Sequence, residues 1–181
     1  MLNLDILINS RISEIWNPYL NKFMIFITEI GSSLILGILS LILLIYLFYK
    51  KRYKNSILVI ISMIGGLIIR IILKISIQRL RPENSLISET GYSFPSGHAL
   101  MSVIFFLLLI YLFHKEIKNK IIQGIFITIN VILILLISFS RIYLKVHWFS
   151  DVLGGLIIGT LWLIISIIIT NKIINSKILR F

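Results

Sequence analysis

Five long apolar runs separated by short polar loops leave this chain few ways to fold. They are residues 22–49, 55–75, 98–113, 121–139 and 150–170 of a 181-residue sequence. A helix of about 20 apolar residues crosses a hydrocarbon core of about 30 Å. The first run exceeds that length, so it tilts or begins outside the core, and it contains Glu29 and a Gly31-Ser32-Ser33 interruption. The second carries Gly65-Gly66 and Arg70, and the third is short. A soluble domain of this size cannot hide a sequence that is 58% hydrophobic with a mean hydropathy of +1.02. The expected fold is all-α: a polytopic membrane helix bundle of five transmembrane helices plus an N-terminal amphipathic, interfacial helix that is the candidate sixth. The length gives one domain over 1–181, made of an interfacial helix (1–20), a helical core (22–170) and a tail (171–181).

Residues 3–16 place Leu4, Ile8, Ile12 and Ile15 on one helical stripe with Asp5, Arg11 and Glu14 off it, and Pro18 then breaks the pattern or opens the next helix. Such a segment lies in the membrane interface or packs on the rim of the bundle. Its acidic residues and the lack of a basic leading region give no expectation of a cleavable signal peptide. With no cysteine, disulfide and thiolate chemistry are excluded.

The net charge of +11 is not read as nucleic-acid binding, because most basic residues sit in short loops between apolar runs. Lys50, Lys51, Arg52 and Lys54 follow the first run, Lys115, Lys118 and Lys120 follow the third, and Lys172, Lys177 and Arg180 end the chain. The positive-inside rule puts these three groups on the cytoplasmic side, and alternation of spans requires that they share it. The remaining loops, about 76–97 and 140–149, then share the opposite face.

Those two outer loops hold an unusual set of side chains. Lys74 and Arg81 are followed by Pro82, and Arg141 begins the second loop. A single arginine there reads as a solvated charge, but three cations beside two histidines can neutralise a phosphoryl group. Pro95-Ser96-Gly97-His98 directly precedes an apolar run. Ser96 suits a helix N-cap, the N–H groups after it suit an anion, and Gly97 permits close approach of backbone to ligand. The plainer reading is an ordinary turn with a capping or interfacial histidine. His147 and Asp151 share a face if helical. A carboxylate on one ring nitrogen fixes the tautomer and leaves the other nitrogen as nucleophile or base. Two histidines and a carboxylate could also ligate zinc or iron, but the adjacent cations would repel a divalent ion, so no metal and no cofactor are expected. Arg70 lies one turn before Lys74 inside a span, where it either pairs with Glu29 or contacts substrate.

In this order, Lys74-x6-Arg81-Pro82, Pro95-Ser96-Gly97-His98 and Ser140-Arg141-x5-His147-x3-Asp151 resemble the signature of the type 2 phosphatidic acid phosphatase superfamily. Eleven positions over 78 residues match, and none departs. The stretches Gly91-Tyr92-Ser93-Phe94 and Ser140-Arg141-Ile142-Tyr143 are most similar to small bacterial phosphatidylglycerophosphatase B-like members, which typically have six membrane helices. The resemblance implies that His147 attacks phosphorus to form a phosphohistidine and that Asp151 orients it. His98 would protonate the leaving oxygen and then activate water. Lys74, Arg81, Ser96, Gly97 and Arg141 would bind the phosphate oxygens.

An outward site at span ends suits a substrate with its tails in the bilayer: a lipid phosphate or a polyprenyl diphosphate. Undecaprenyl diphosphate and phosphatidylglycerophosphate lead by family analogy. A lipid-linked phosphotransferase is the alternative, and a non-enzymatic lipid carrier a lesser one. Five spans around one pocket need no protein partner to complete it.

Overall fold

The computed structural model describes residues 3–175. They form seven α-helices: α1 (Asn3–Arg11), α2 (Pro18–Ile30), α3 (Ser33–Tyr49), α4 (Tyr53–Ile77), α5 (Gly97–Phe113), α6 (Lys120–Tyr143) and α7 (Phe149–Asn175), with 3-10 turns at Ile12–Ile15 and His114–Glu116. No strand occurs among the described residues.

Among the described residues, four helices are long and apolar enough to cross a membrane: α4, α5 with its following turn, α6 and α7. The bent pair α2 and α3 makes a fifth if it counts as one span. The bend is 43° and falls at Gly31-Ser32, where the sequence interrupts its first apolar run. Both halves are capped locally: Asn17 Oδ1 accepts from Leu20 N at 2.9 Å before Pro18, and Ser32 Oγ accepts from Ile35 N at 3.3 Å. Gly31 sits at the bend because a side chain would collide with Ile137 of α6 and come within 3.3 Å of His98 Cδ2.

The bundle is organised around α5, where eleven of seventeen residues are buried. Elsewhere the apolar residues turn outward: Leu34, Phe26 and Ile121 are 73%, 65% and 74% exposed. A water-soluble protein would hide these side chains, whereas hydrocarbon covers them without cost. Glycines let α7 approach the start of α5. An ideal Cβ on Gly155 would lie 2.8 Å from the Ser96 carbonyl oxygen, and one on Gly159 would lie 2.7 Å from that of Leu100.

Several boundaries differ from the sequence expectation. Helix α6 runs on through Ser140 and Arg141, so Arg141 belongs to its last turn and not to a loop. Helix α4 ends at Ile77, with Gln78 in the left-handed region (φ 49°), and Pro82 lies beyond it. Helix α7 continues through 171–175, which the expected tail had claimed, and residues 176–181 with Lys177 and Arg180 lie outside the described residues. Helix α1 also departs from the expected pattern. Leu4, Ile6 and Leu7 are about half exposed, at 49%, 52% and 51%, while Asp5 is buried.

Opposite ends of the bundle carry different chemistry. At one end Arg52 pairs with Glu116 at 2.5 Å, joining the basic loops after α3 and α5. At the other, the segments 78–96 and 144–148 meet: Leu86 N donates to Leu144 O at 3.0 Å, and Ser96 N to Asp151 O at 3.0 Å. Met24, Tyr143, Leu144 and Val146 form a second apolar core beneath these segments, with Trp16, Leu20 and Leu86 against it.

Candidate active site

The set of side chains picked from the sequence lines one end of the bundle. Lys74 lies in the last turn of α4 and donates to the Tyr92 carbonyl. Arg81 is fixed by three carbonyls: Nε to Gly91 O (3.0 Å), Nη2 to Thr90 O (3.1 Å) and Nη1 to Val146 O (2.6 Å). Gly91 serves this cradle with a left-handed φ of 72°. Trp148 Nε1 bonds Leu80 O at 2.9 Å, tying the two outer segments together.

His147 lies in the turn before α7, so it and Asp151 do not share one helix, as the spacing had suggested. The carboxylate reaches back instead. Asp151 Oδ2 accepts from Trp148 N at 2.9 Å, as a helix-capping group does, and lies 3.5 Å from His147 Nδ1. His147 Nε2 is 3.2 Å from Arg81 Nη1. Because an arginine only donates, Nε2 is the accepting nitrogen and the ring proton belongs on Nδ1, facing Asp151. Burial, then the charges of Arg141, Arg81 and Lys74, push His147 well below its ordinary value, so the ring is neutral, with the Nε2 lone pair turned toward Arg81.

Ser96 takes the N-cap position of α5, yet its hydroxyl caps nothing. Among the described residues, Ser96 Oγ is buried without a hydrogen-bond partner, and so are Arg70 Nε, Arg141 Nε and His147 Nδ1, which at 3.5 Å is within ion-pair range of Asp151 but not hydrogen-bonded to it. Gly97 follows, and an ideal Cβ there would lie 2.7 Å from Arg70 Nε. Arg70 thus lies against Gly97 of the Pro-Ser-Gly-His segment. Its Nη1 donates to Ser33 Oγ at 2.9 Å, and of the two readings of Arg70 the ion pair with Glu29 is not found among the described residues. His98, the second residue of α5, has its ring beside Gly31 at the bend.

Arg141 is 1% exposed. It donates to Thr28 Oγ1 of α2 at 2.6 Å and pairs with Glu89, whose other oxygen is 3.7 Å from Arg81. Burial alone would raise the Glu89 carboxyl, but Arg141 and then Arg81 hold it below the usual carboxylate range. Glu89 and Thr28 escaped the reading of the sequence, since neither lies in a recognisable motif. So did Arg79, inside the Lys74–Arg81 spacing, and Asp5, which looked like the wet side of a surface helix. Among the described residues, no three His, Cys, Asp or Glu side chains gather as a metal-binding group.

This arrangement is an anion cradle built on a histidine–carboxylate pair at the end of a membrane bundle. The model of the PAP2 superfamily matches residues 55–175. Phosphatidylglycerophosphatase B of Bacillus subtilis is 32% identical over 170 residues, 91% of this chain and 79% of that protein. An undecaprenyl-diphosphatase of Sulfolobus acidocaldarius is 28% identical over 148 residues, 78% of this chain and 66% of that one. Among solved structures, the transmembrane PAP2-type phosphatidylglycerolphosphate phosphatase from Bacillus subtilis superposes with a TM-score of 0.83 at 29% identity, covering 98% of this chain and 87% of that chain. Aquifex aeolicus LpxE gives 0.73 at 27% identity, covering 91% and 95%. The chain belongs to the PAP2 superfamily and is a membrane phosphatase.

Proposed function

We propose that this protein hydrolyses a lipid phosphate or a polyprenyl diphosphate without a metal, through a phosphohistidine, at the extracytoplasmic face of the cell membrane. The observation that carries the reading is His147. Its proton faces Asp151, and its unprotonated Nε2 faces Arg81 among the arginines.

In the first step Nε2 forms a bond to phosphorus as the phosphorus–oxygen bond of the lipid breaks. His98 gives its proton to the departing oxygen. The phosphorylated ring keeps its Nδ1 proton and is cationic, and Asp151 stabilises that charge. In the second step His98 takes a proton from water, the hydroxyl oxygen attacks phosphorus, and the nitrogen–phosphorus bond breaks to release inorganic phosphate. Lys74, Arg81, Arg141, Ser96 and the backbone at Gly97 hold the equatorial oxygens, where charge accumulates. Arg70, lying against Gly97, joins them as a further cation.

The basic loops at the Arg52–Glu116 end support a cytoplasmic assignment for that end, which leaves the site outside. Phosphatidylglycerophosphate and undecaprenyl diphosphate are the leading substrates, since the relatives named above act on them. The outer segments leave no room for a separate lid domain, which favours loose headgroup selection. The core 22–170 and the interfacial α1 act as one domain, and no protein partner is needed to complete the site.

Purified protein in detergent should release phosphate from these two lipids in excess EDTA. His147→Ala should lower the rate by at least about a thousandfold, as loss of a covalent nucleophile does. Activity that EDTA abolishes, or that survives the substitution, would overturn the mechanism. Phosphate appearing on a second molecule would indicate a transferase.

A further inference from the structure

We propose that Asp5, acting through Arg79, is a positioning residue for the His147–Asp151 pair, which makes the N-terminal helix a working part of the active site. This rests on the reading of His147 as nucleophile and Asp151 as its orienting group.

The unusual feature of α1 is what it buries. Leu4, Ile6 and Leu7 stay about half exposed, and the residue the helix buries is a carboxylate, 1% exposed. An unpaired buried carboxylate costs several kcal/mol, about enough to expel so short a helix. Asp5 is fully partnered: Oδ1 accepts from Ser150 N at 2.9 Å, and Oδ2 accepts from Ser150 Oγ at 2.7 Å and from Arg79 Nη2 at 2.6 Å. Burial would raise its carboxyl, yet the Ser150 and Arg79 bonds bring it below the usual value, so it is ionised.

The other nitrogen of the same guanidinium completes the connection. Arg79 Nη1 donates to Asp151 Oδ1 at 2.7 Å and to Ser150 Oγ at 2.6 Å, while the guanidinium carbon lies 5.6 Å from the Trp148 ring centre. One planar fork therefore bridges two carboxylates, with an indole against its face. The bond from Trp148 N occupies the Asp151 oxygen that faces His147.

Charge explains why a second carboxylate matters. Arg79 alone would neutralise Asp151 and weaken its hold on the ring proton of His147. With Asp5 sharing the guanidinium, the trio of two carboxylates and one cation is net negative on the Nδ1 side of the ring, opposite the cations that face Nε2. That charge is needed most when the phosphorylated ring becomes cationic. A tie that merely fastened α1 to the bundle would not need to end on the catalytic carboxylate.

The test uses the full-length protein in detergent with phosphatidylglycerophosphate as substrate. It compares Asp5→Asn, Arg79→Lys, the double variant, and Ser10→Ala on the exposed side of the same helix. Each of the first two should lower kcat about tenfold while KM stays within about twofold, because the pair acts on the cationic intermediate more than on the bound substrate. The double variant should be no slower than the slower single, since one connection is broken either way. Ser10→Ala should match the parent. Wild-type kcat in Asp5→Asn, or single losses that multiply in the double, would overturn the proposal. If Asp5→Asn does not fold, Arg79→Lys carries the test: lysine keeps the charge but cannot bridge both carboxylates, and an unchanged kcat overturns the proposal equally. Activity surviving in His147→Ala would instead overturn the underlying mechanism, whatever the Asp5 variants do.

Discussion

A buried hydroxyl with no partner gives a clean separation of stability from function. Ser96 Oγ is fully buried and unbonded among the described residues, so Ser96→Ala breaks no hydrogen bond of the fold and removes a desolvated polar group. Leaving such a group unpaired costs about 1–3 kcal/mol, so the melting temperature of the variant in detergent should hold or rise. Its kcat/KM should fall about tenfold, the worth of one hydrogen bond to a charged oxygen. A destabilised variant with full activity would show that Ser96 belongs to the scaffold. Residues such as Ser96, His98, His147 and Asp151 are legible in a sequence because the chemistry demands particular types at fixed spacing. Asp5, Arg79, Thr28 and Glu89 are not, because their meaning comes from partners 74, 72, 113 and 52 residues away. Nothing in the neighbouring sequence sets them apart from ordinary polar residues on a loop or helix.

The helices follow a similar division. Apolar length locates every long helix, but it misplaces the end of α6. The apolar run stops at Phe139, yet the helix continues, because the charge of Arg141 is met inside the bundle by Glu89 and Thr28 instead of by solvent. The bend between α2 and α3 was written in Gly31-Ser32-Ser33. Its purpose was not: α2 is carried against α6, where Thr28 meets Arg141. The glycines of α7 give opposite expectations from those on lipid-facing helices. Gly155→Ala would drive a methyl into the Ser96 carbonyl and should cost about 1–3 kcal/mol, with activity falling alongside stability because Ser96 moves. Gly124→Ala in α6 meets nothing within 4 Å and should add about 0.5–1 kcal/mol from helix propensity alone. Thermal unfolding of both variants in one detergent checks the sign of each.

At the scale of the molecule, a chain without cysteine is ready for a sidedness experiment. Glu83→Cys, in the exposed segment beside the site, should react with a membrane-impermeant thiol reagent added outside intact cells. Lys118→Cys, in the loop after α5, should react only once the membrane is opened. The reverse pattern would place the site inside. The polar atoms left unbonded around the cradle have a thermodynamic meaning as well. Ser96 Oγ, Arg70 Nε and Arg141 Nε have no partner among the described residues. An anion held by such donors in the folded state and not in the unfolded chain adds RT ln(1 + [L]/Kd) to the stability of the protein, about 2.7 kcal/mol at a hundredfold excess over Kd. On the proposed function, phosphate would then be more than a product: by linkage it would act as a ligand of the native state, and the enzyme would resist unfolding most firmly where its reaction is supplied.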